Sequence, residues 1–174
     1  MNTLVVYESM WGNTRAVAEA VAEKLGEDVT LVEVNDAPGQ LTTDLDLLVV
    51  GGPTHGFSLS RESTRQDAVR QGAPAERATT GLREWLESVR LDAAASPVLA
   101  TFDTRVTQVR WLPKSAGPTA AKLGRRRGLV VSPKPIGFLV EGLQGPLVEG
   151  EQERATAWGR ALGAACTERA AAVG

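Results

Sequence analysis

The chain is poor in the residues that usually carry metal or thiol chemistry. It has one cysteine, Cys166, and one histidine, His55, among 174 residues. A single cysteine excludes an intrachain disulfide and a thiolate metal cluster. No stretch reaches the ~18 uninterrupted apolar residues needed to span a bilayer, so no membrane insertion is expected. The chain enters a strand-like run at Leu4 with no basic segment and long apolar core before it. That start predicts no secretion signal, and a cytoplasmic location is the expectation. Neither sign of charge dominates: the net value is −2, which provides no global field to attract nucleic acid or an anionic membrane.

What is present reads as an ordinary globular chain, with 43% hydrophobic and 23% charged residues. Its length predicts one domain, since single cores run to ~100–200 residues. "TLVVY" (3–7), "VTLVEV" (29–34), "DLLVVGG" (46–52) and "PVLATF" (97–102) read as strands. The third is apolar on both faces, as a strand covered by helices on each side must be. "LVV" (129–131) and "GFLV" (137–140) read as two pieces of a fifth strand, broken by Pro133 and Pro135. Helical spacing occurs at Val17, Val21 and Leu25, closed by Gly26, and at Leu82, Trp85, Leu86 and Val89. Further helices are predicted around Ser63–Gln71, near Ser115–Arg127 with Pro118 in the first turn, and from Glu149–Glu151 to the end. A loop is expected from Asp103 to about Pro113. Five strands alternating with helices predict an α/β three-layer sandwich with a parallel sheet.

The turn between the first strand and the first helix, "ESMWGNT" (8–14), carries the strongest chemical signal. A helix N-terminus leaves four N–H groups unpaired and carries about half a positive charge. Ser9, Gly12, Asn13 and Thr14 are small residues that let an anion approach that end closely. Each alone reads equally well as a helix cap. The turn lacks the lysine of a nucleotide-triphosphate loop and the G-x-G-x-x-G of a dinucleotide fold.

Residues 5–21 resemble the signature of the flavodoxin family: an apolar pair, Tyr, Ser, Gly, Thr, Ala and a closing apolar residue. The resemblance implies a five-stranded parallel sheet of order 2-1-3-4-5 with FMN at the switch point, the arrangement for which flavodoxin is the standard example. It also implies that Ser9, Met10, Trp11, Gly12, Asn13 and Thr14 wrap the FMN phosphate. "GGPTHGF" (51–57) resembles the family's G-x-P-T-x-x-G loop, which implies that Pro53, Thr54, His55, Gly56 and Phe57 wall the flavin ring. A third loop departs from the family. Many flavodoxins place a tyrosine on the flavin after strand four, whereas this chain has "TFDTRVTQVRW" (101–111) and no tyrosine beyond Tyr7. Asp103, Thr104 and Arg105 are the candidates for the flavin's pyrimidine edge, and Trp111 for the missing tyrosine.

Several residues carry two readings. His55 is either a loop residue or a group near the flavin that titrates in the physiological range. Phe57 is a ring wall or a packing anchor. Arg105 either tunes the flavin or pairs with Asp103. Arg125–Arg127 read as a basic helix end before the Gly128 cap, or as a docking patch. Cys166 reads as a small core residue. No nucleophile with an adjacent base is evident, so any catalysis belongs to the cofactor. The expectation is an FMN-binding redox protein, monomeric or homodimeric. Its partner would be a redox protein or NAD(P)H, with the long segment Ser58–Gly81 as a source of pocket or dimer contact. The alternative is a partner-binding module with little or no flavin.

Overall fold

The apolar runs become the centre of a twisted parallel sheet. The structure, a computed structural model, describes residues 1–111 and 114–173. Among the described residues there are eight strands: β1 (Thr3–Tyr7), β2 (Val29–Glu33), β3 (Gln40–Leu41), β4 (Leu47–Pro53), β5 (Arg90–Leu91), β6 (Val98–Val106), β7 (Val130–Val131) and β8 (Ile136–Val140). The same residues form five α-helices: α1 (Asn13–Ala22), α2 (Glu62–Arg70), α3 (Leu82–Ser88), α4 (Ala116–Arg126) and α5 (Glu151–Val173). The main sheet runs β2-β1-β4-β6, and β7 and β8 both pair in parallel with the outer edge of β6. Counted by its five main strands, β8 being the last, this is the order 2-1-3-4-5. The two-residue strands β3 and β5 form a separate parallel ladder, too short to leave a periodic signal.

Strand alternation assigns the two cores. Leu4, Val6, Leu48, Val50 and Leu99 face α3 and α4. Val5, Tyr7, Val49, Ala100 and Phe102 face α1 and α5. Each fully buried Val or Leu contributes about 1.5–3 kcal/mol, so this double-sided burial holds the strand ends in fixed register. Phe102, Phe138 and Trp158 meet edge to face, with centroids 6.0–6.3 Å apart, a geometry that favours ring quadrupoles. Gly51 makes room for this cluster, because a Cβ there would lie 1.9 Å from the Phe102 ring.

Two features of α5 fix its position. Gly159 lets it close on α1, since a Cβ there would sit 2.4 Å from the Val21 carbonyl oxygen. Gly163 faces Lys24 in the same way, at 3.3 Å.

The fourth strand is longer than its apolar run predicts. Asp103–Val106 continue β6 instead of opening a loop, because Asp103 is fully buried and its charge is met by neighbours. The segment 72–81 contains a short 3-10 turn, Ala75–Ala78. Pro113 and Leu112 lie outside the described residues.

Candidate functional site

At the carboxyl ends of β1, β4 and β6 lies a cavity of about 290 Å³. Three chain segments predicted from the sequence converge on it. Ser9, Met10, Trp11, Asn13 and Thr14 come from the β1–α1 turn, Pro53, Thr54, His55 and Gly56 from the end of β4, and Thr104 and Arg105 from β6.

The β1–α1 turn is organised around Ser9 and Gly12. The Ser9 hydroxyl oxygen accepts the Gly12 N–H at 3.0 Å and the Arg15 N–H at 3.3 Å. Gly12 has φ 94°, a left-handed conformation that glycine adopts at little cost. Next to this curl the N–H groups of Trp11, Asn13 and Thr14 make no hydrogen bond within the described residues. The turn is pinned on each side. The Thr14 and Thr104 hydroxyls meet at 2.7 Å, and the Asn13 amide donates to the Gln144 carbonyl at 2.9 Å. Met10 is buried against Ala68, Ala73 and Ala78, and its carbonyl accepts from Arg77 at 3.3 Å.

The second segment is a hairpin. His55 and Ser58 exchange backbone hydrogen bonds at 2.9 and 3.2 Å around Gly56 (φ 55°) and Phe57 (φ 64°). Two successive positive φ values are those of a type I′ turn. Phe57 is the one non-glycine residue described with positive φ, and a bulky side chain there is strained. Phe57 is 49% exposed and is not among the residues that line the cavity. Its expected place on the wall is therefore not where the side chain goes. Burial, with a smaller contribution from the Arg65 charge, pushes the His55 imidazole below its ordinary range. It is therefore neutral at pH 7.

The third segment has no exposed polar loop. Arg105 donates to both Asp103 carboxylate oxygens, at 2.7 and 3.0 Å. The same carboxylate accepts from the Ser115 hydroxyl at 2.8 Å and the Gly117 N–H at 3.0 Å. Asp103 thus lies beneath the cavity as a tie between β6 and α4, while Thr104 and Arg105 reach its wall. The Arg105 guanidinium lies over Gly137, where a Cβ would meet Nη2 at 2.2 Å. Trp111 is 75% exposed and does not reach the wall.

Other wall residues were not singled out by the sequence. Thr64, Asp67 and Ala68 of α2, with Gln71 just past its end, close one side, and Val106, Val140 and Leu143 another. The α2 residues lie inside the segment 58–81 marked for its length, but their polarity hides which face turns inward. Arg65 anchors that helix. Its buried guanidinium donates to Ala78 O at 3.1 Å, Ser60 Oγ at 3.0 Å and the Glu84 carboxylate at 3.3 Å. Glu8, just before the turn, is fully buried; one oxygen accepts the Leu82 N–H at 2.9 Å and the other has no partner. Burial raises its pKa above the usual carboxylate range.

Among the described residues, no group of three His, Cys, Asp or Glu side chains could hold a metal ion, and no helix is long and apolar enough to cross a membrane. No curated protein matches the chain by sequence. Solved structures do match its fold. An archaeal flavodoxin is 16% identical, covering 96% of this chain and 99% of its own, with a TM-score of 0.61. A Streptococcus pneumoniae TIGR4 flavodoxin is 19% identical over 94% and 99%, with a TM-score of 0.60. A WrbA-like protein from Agrobacterium tumefaciens is 21% identical over 96% and 98%, with a TM-score of 0.54. The model of the flavodoxin family matches residues 5–158, and with that span the chain belongs to the flavodoxin family.

Proposed function

We propose that the cavity binds FMN and that the chain is a redox protein working through it. The observation that carries this reading is that Trp11, Asn13 and Thr14, at the start of α1, line the cavity and leave their N–H groups without a hydrogen bond among the described residues. Unpaired donors at a helix N-terminus suit a phosphate monoester dianion. Beside them Trp11, Pro53, Val106 and Leu143 supply apolar wall for a flat ring, the mix of apolar surface and few polar groups typical of cofactor sites. When bound, FMN supplies an electron-accepting ring; the protein binds it, orients it and sets the charge around it. Ser9, Asn13 and Thr14 would hold the phosphate, and His55, Thr104 and Arg105 would border the ring. His55 stands neutral there, and Arg105 brings a cation already balanced by Asp103.

Two kinds of electron donor fit. The α2 wall, with Thr64, Asp67 and Gln71, narrows the cavity as a site for a small donor such as NAD(P)H would require. Leu143, exposed on the cavity wall, favours a protein partner. Oxidation of NAD(P)H with a quinone acceptor and no added reductase supports the enzyme; transfer only through a reductase supports the carrier.

Titration of the flavin-free protein tests the cofactor reading. FMN is expected to bind roughly 100-fold or more tightly than riboflavin, because hydrogen bonds to a charged phosphate contribute about 1.5–3 kcal/mol each. FAD, whose second phosphate ester crowds the turn, should also bind weakly. Equal affinity for FMN and riboflavin would overturn the reading and leave a flavin-free binding module as the alternative.

A further inference from the structure

A second concavity opens at the other end of the sheet. It has a volume of about 650 Å³ and lies between α5 and the segment Ser132–Ile136 that links β7 to β8, with Val98, the first residue of β6, in its floor. This places it at the amino end of β6, away from the turn that carries Ser9.

The groove follows from how α5 is seated. Gly159 and Gly163 let the helix lie close to the backbone at Val21 and Lys24, and an adjoining stripe of its surface borders the groove. That stripe is Trp158, Ala161, Leu162, Ala165, Cys166 and Arg169. These positions recur at the three- and four-residue spacing that keeps side chains on one helix face. Five are apolar and the last is a cation. Ala161 and Ala165 are exposed, Trp158 and Cys166 half-buried and Leu162 buried in the core, so the outer part of the stripe is apolar surface that α5 leaves uncovered. Trp158 is held by edge contacts to Phe102 and Phe138, which gives the groove a rigid end. On the facing wall Lys134 is exposed. Neither Lys134 nor Arg169 makes an ion pair within the described residues.

We propose that this groove is a second ligand site, taking a small amphipathic carboxylate whose apolar tail lies along the α5 stripe and whose head group pairs with Lys134 and Arg169. The volume falls within the ~300–1,000 Å³ of small-molecule sites. Charge selects the head group: among the described residues the groove is lined by two cations, Lys134 and Arg169, and by no acid. Asp46, an acid whose charge reaches Cys166, is hydrogen-bonded by the Asn2 N–H at 2.9 Å and does not line the groove. The lining has few polar groups to satisfy a nucleotide base or a sugar, which fits a hydrocarbon tail instead. Burial pushes the Cys166 thiol above its ordinary range, so it serves as apolar surface and not as a nucleophile.

Calorimetric titration of the whole chain with decanoate below its micellar concentration, alongside amide NMR shifts, tests the site. One equivalent should bind, moving Ser132–Ile136 and residues 158–169 and leaving Ser9–Thr14 still. The Lys134→Glu/Arg169→Glu double variant should weaken decanoate roughly tenfold, the scale of two exposed charge pairs, and decyltrimethylammonium should bind the parent more weakly than decanoate. Ala161→Trp, at an exposed position, should fill the groove and abolish binding with the thermal midpoint kept. Absence of binding at millimolar decanoate would overturn the proposal. So would shifts centred on the other cavity, or equal affinity of parent and charge-reversed protein. Sedimentation showing a dimer that Ala161→Trp dissociates would make a second copy of the chain the occupant and also refute it.

Discussion

The β1–α1 turn and the carboxyl end of β6 both bring polar groups to the same cavity, and they treat them in opposite ways. In the turn, Ser9 accepts two N–H groups to shape the chain, and three further donors are left without a hydrogen bond among the described residues. At β6, the Asp103 carboxylate gathers Arg105, Ser115 and the Gly117 N–H. Its charge is compensated before any ligand arrives. Unpaired donors mark where a ligand binds, and paired ones mark what holds the wall in place. Arg105, which by sequence alone reads either as a tuning charge or as a partner of Asp103, belongs mainly to the second kind. The field it exerts on a ring in the cavity is reduced by the carboxylate 2.7 Å away.

That contrast gives an order of expected effects. Replacing Asp103 with Ala should be the most damaging, because removing one partner of a buried charge pair costs about 3–5 kcal/mol. Urea denaturation of the parent and variant measures it, and a loss below ~1 kcal/mol would mean the tie to α4 is incidental. Next is Ser9→Glu, which puts a carboxylate beside those donors. FMN affinity should fall about 100-fold, equivalent to ~2.7 kcal/mol, with far-UV circular dichroism unchanged. A variant that still purifies with a full complement of FMN would remove the turn from the site.

Two smaller effects are read against pH. Glu8 has a raised folded pKa, so its stabilising contribution is complete below its unfolded value of ~4.3 and is lost as pH rises through the folded pKa. Glu8→Gln should therefore gain on the parent with rising pH, and the stability difference should level off in acid. A difference independent of pH would show that the carboxyl ionises freely where it stands. His55 has the opposite sign. Its lowered folded pKa makes its contribution complete above ~6.5 and lost as pH falls through the folded value. His55→Gln should flatten that acid limb slightly. The same lowering moves any His55-linked pH dependence of an FMN reduction potential to below ~6.5, where comparison of the two proteins would find it.

The parts of this site that were legible in the sequence are those built from local pattern. "MWGNTRAV" places a glycine and small polar residues between an apolar strand and a periodic helix, and the turn forms there. The end of β6 was not legible. "FDTRV" carries two charges directly after an apolar run and reads as a loop, because the groups that bury Asp103 lie more than ten residues away, at Ser115 and Gly117. The α2 wall was visible only as a segment of unusual length. Its one large buried side chain is Arg65, a residue type that composition assigns to the surface. Phe57 was misplaced for a backbone reason, since nothing in "THGF" announces a left-handed conformation at the phenylalanine.

The close approach of α5 to α1 has a mechanical consequence. Helix α1 has ten residues and behaves as a rod about 15 Å long. At its N-terminal end it is gripped by the Thr14–Thr104 and Asn13–Gln144 hydrogen bonds. Near its other end Gly159 clamps it at Val21. A rod held at both ends passes a displacement along its axis instead of absorbing it. Where the unpaired donors of the turn sit at the strand ends is therefore set partly by a glycine in the last helix. A methyl group added at position 159 would lever that end of α1 without touching a single residue of the turn.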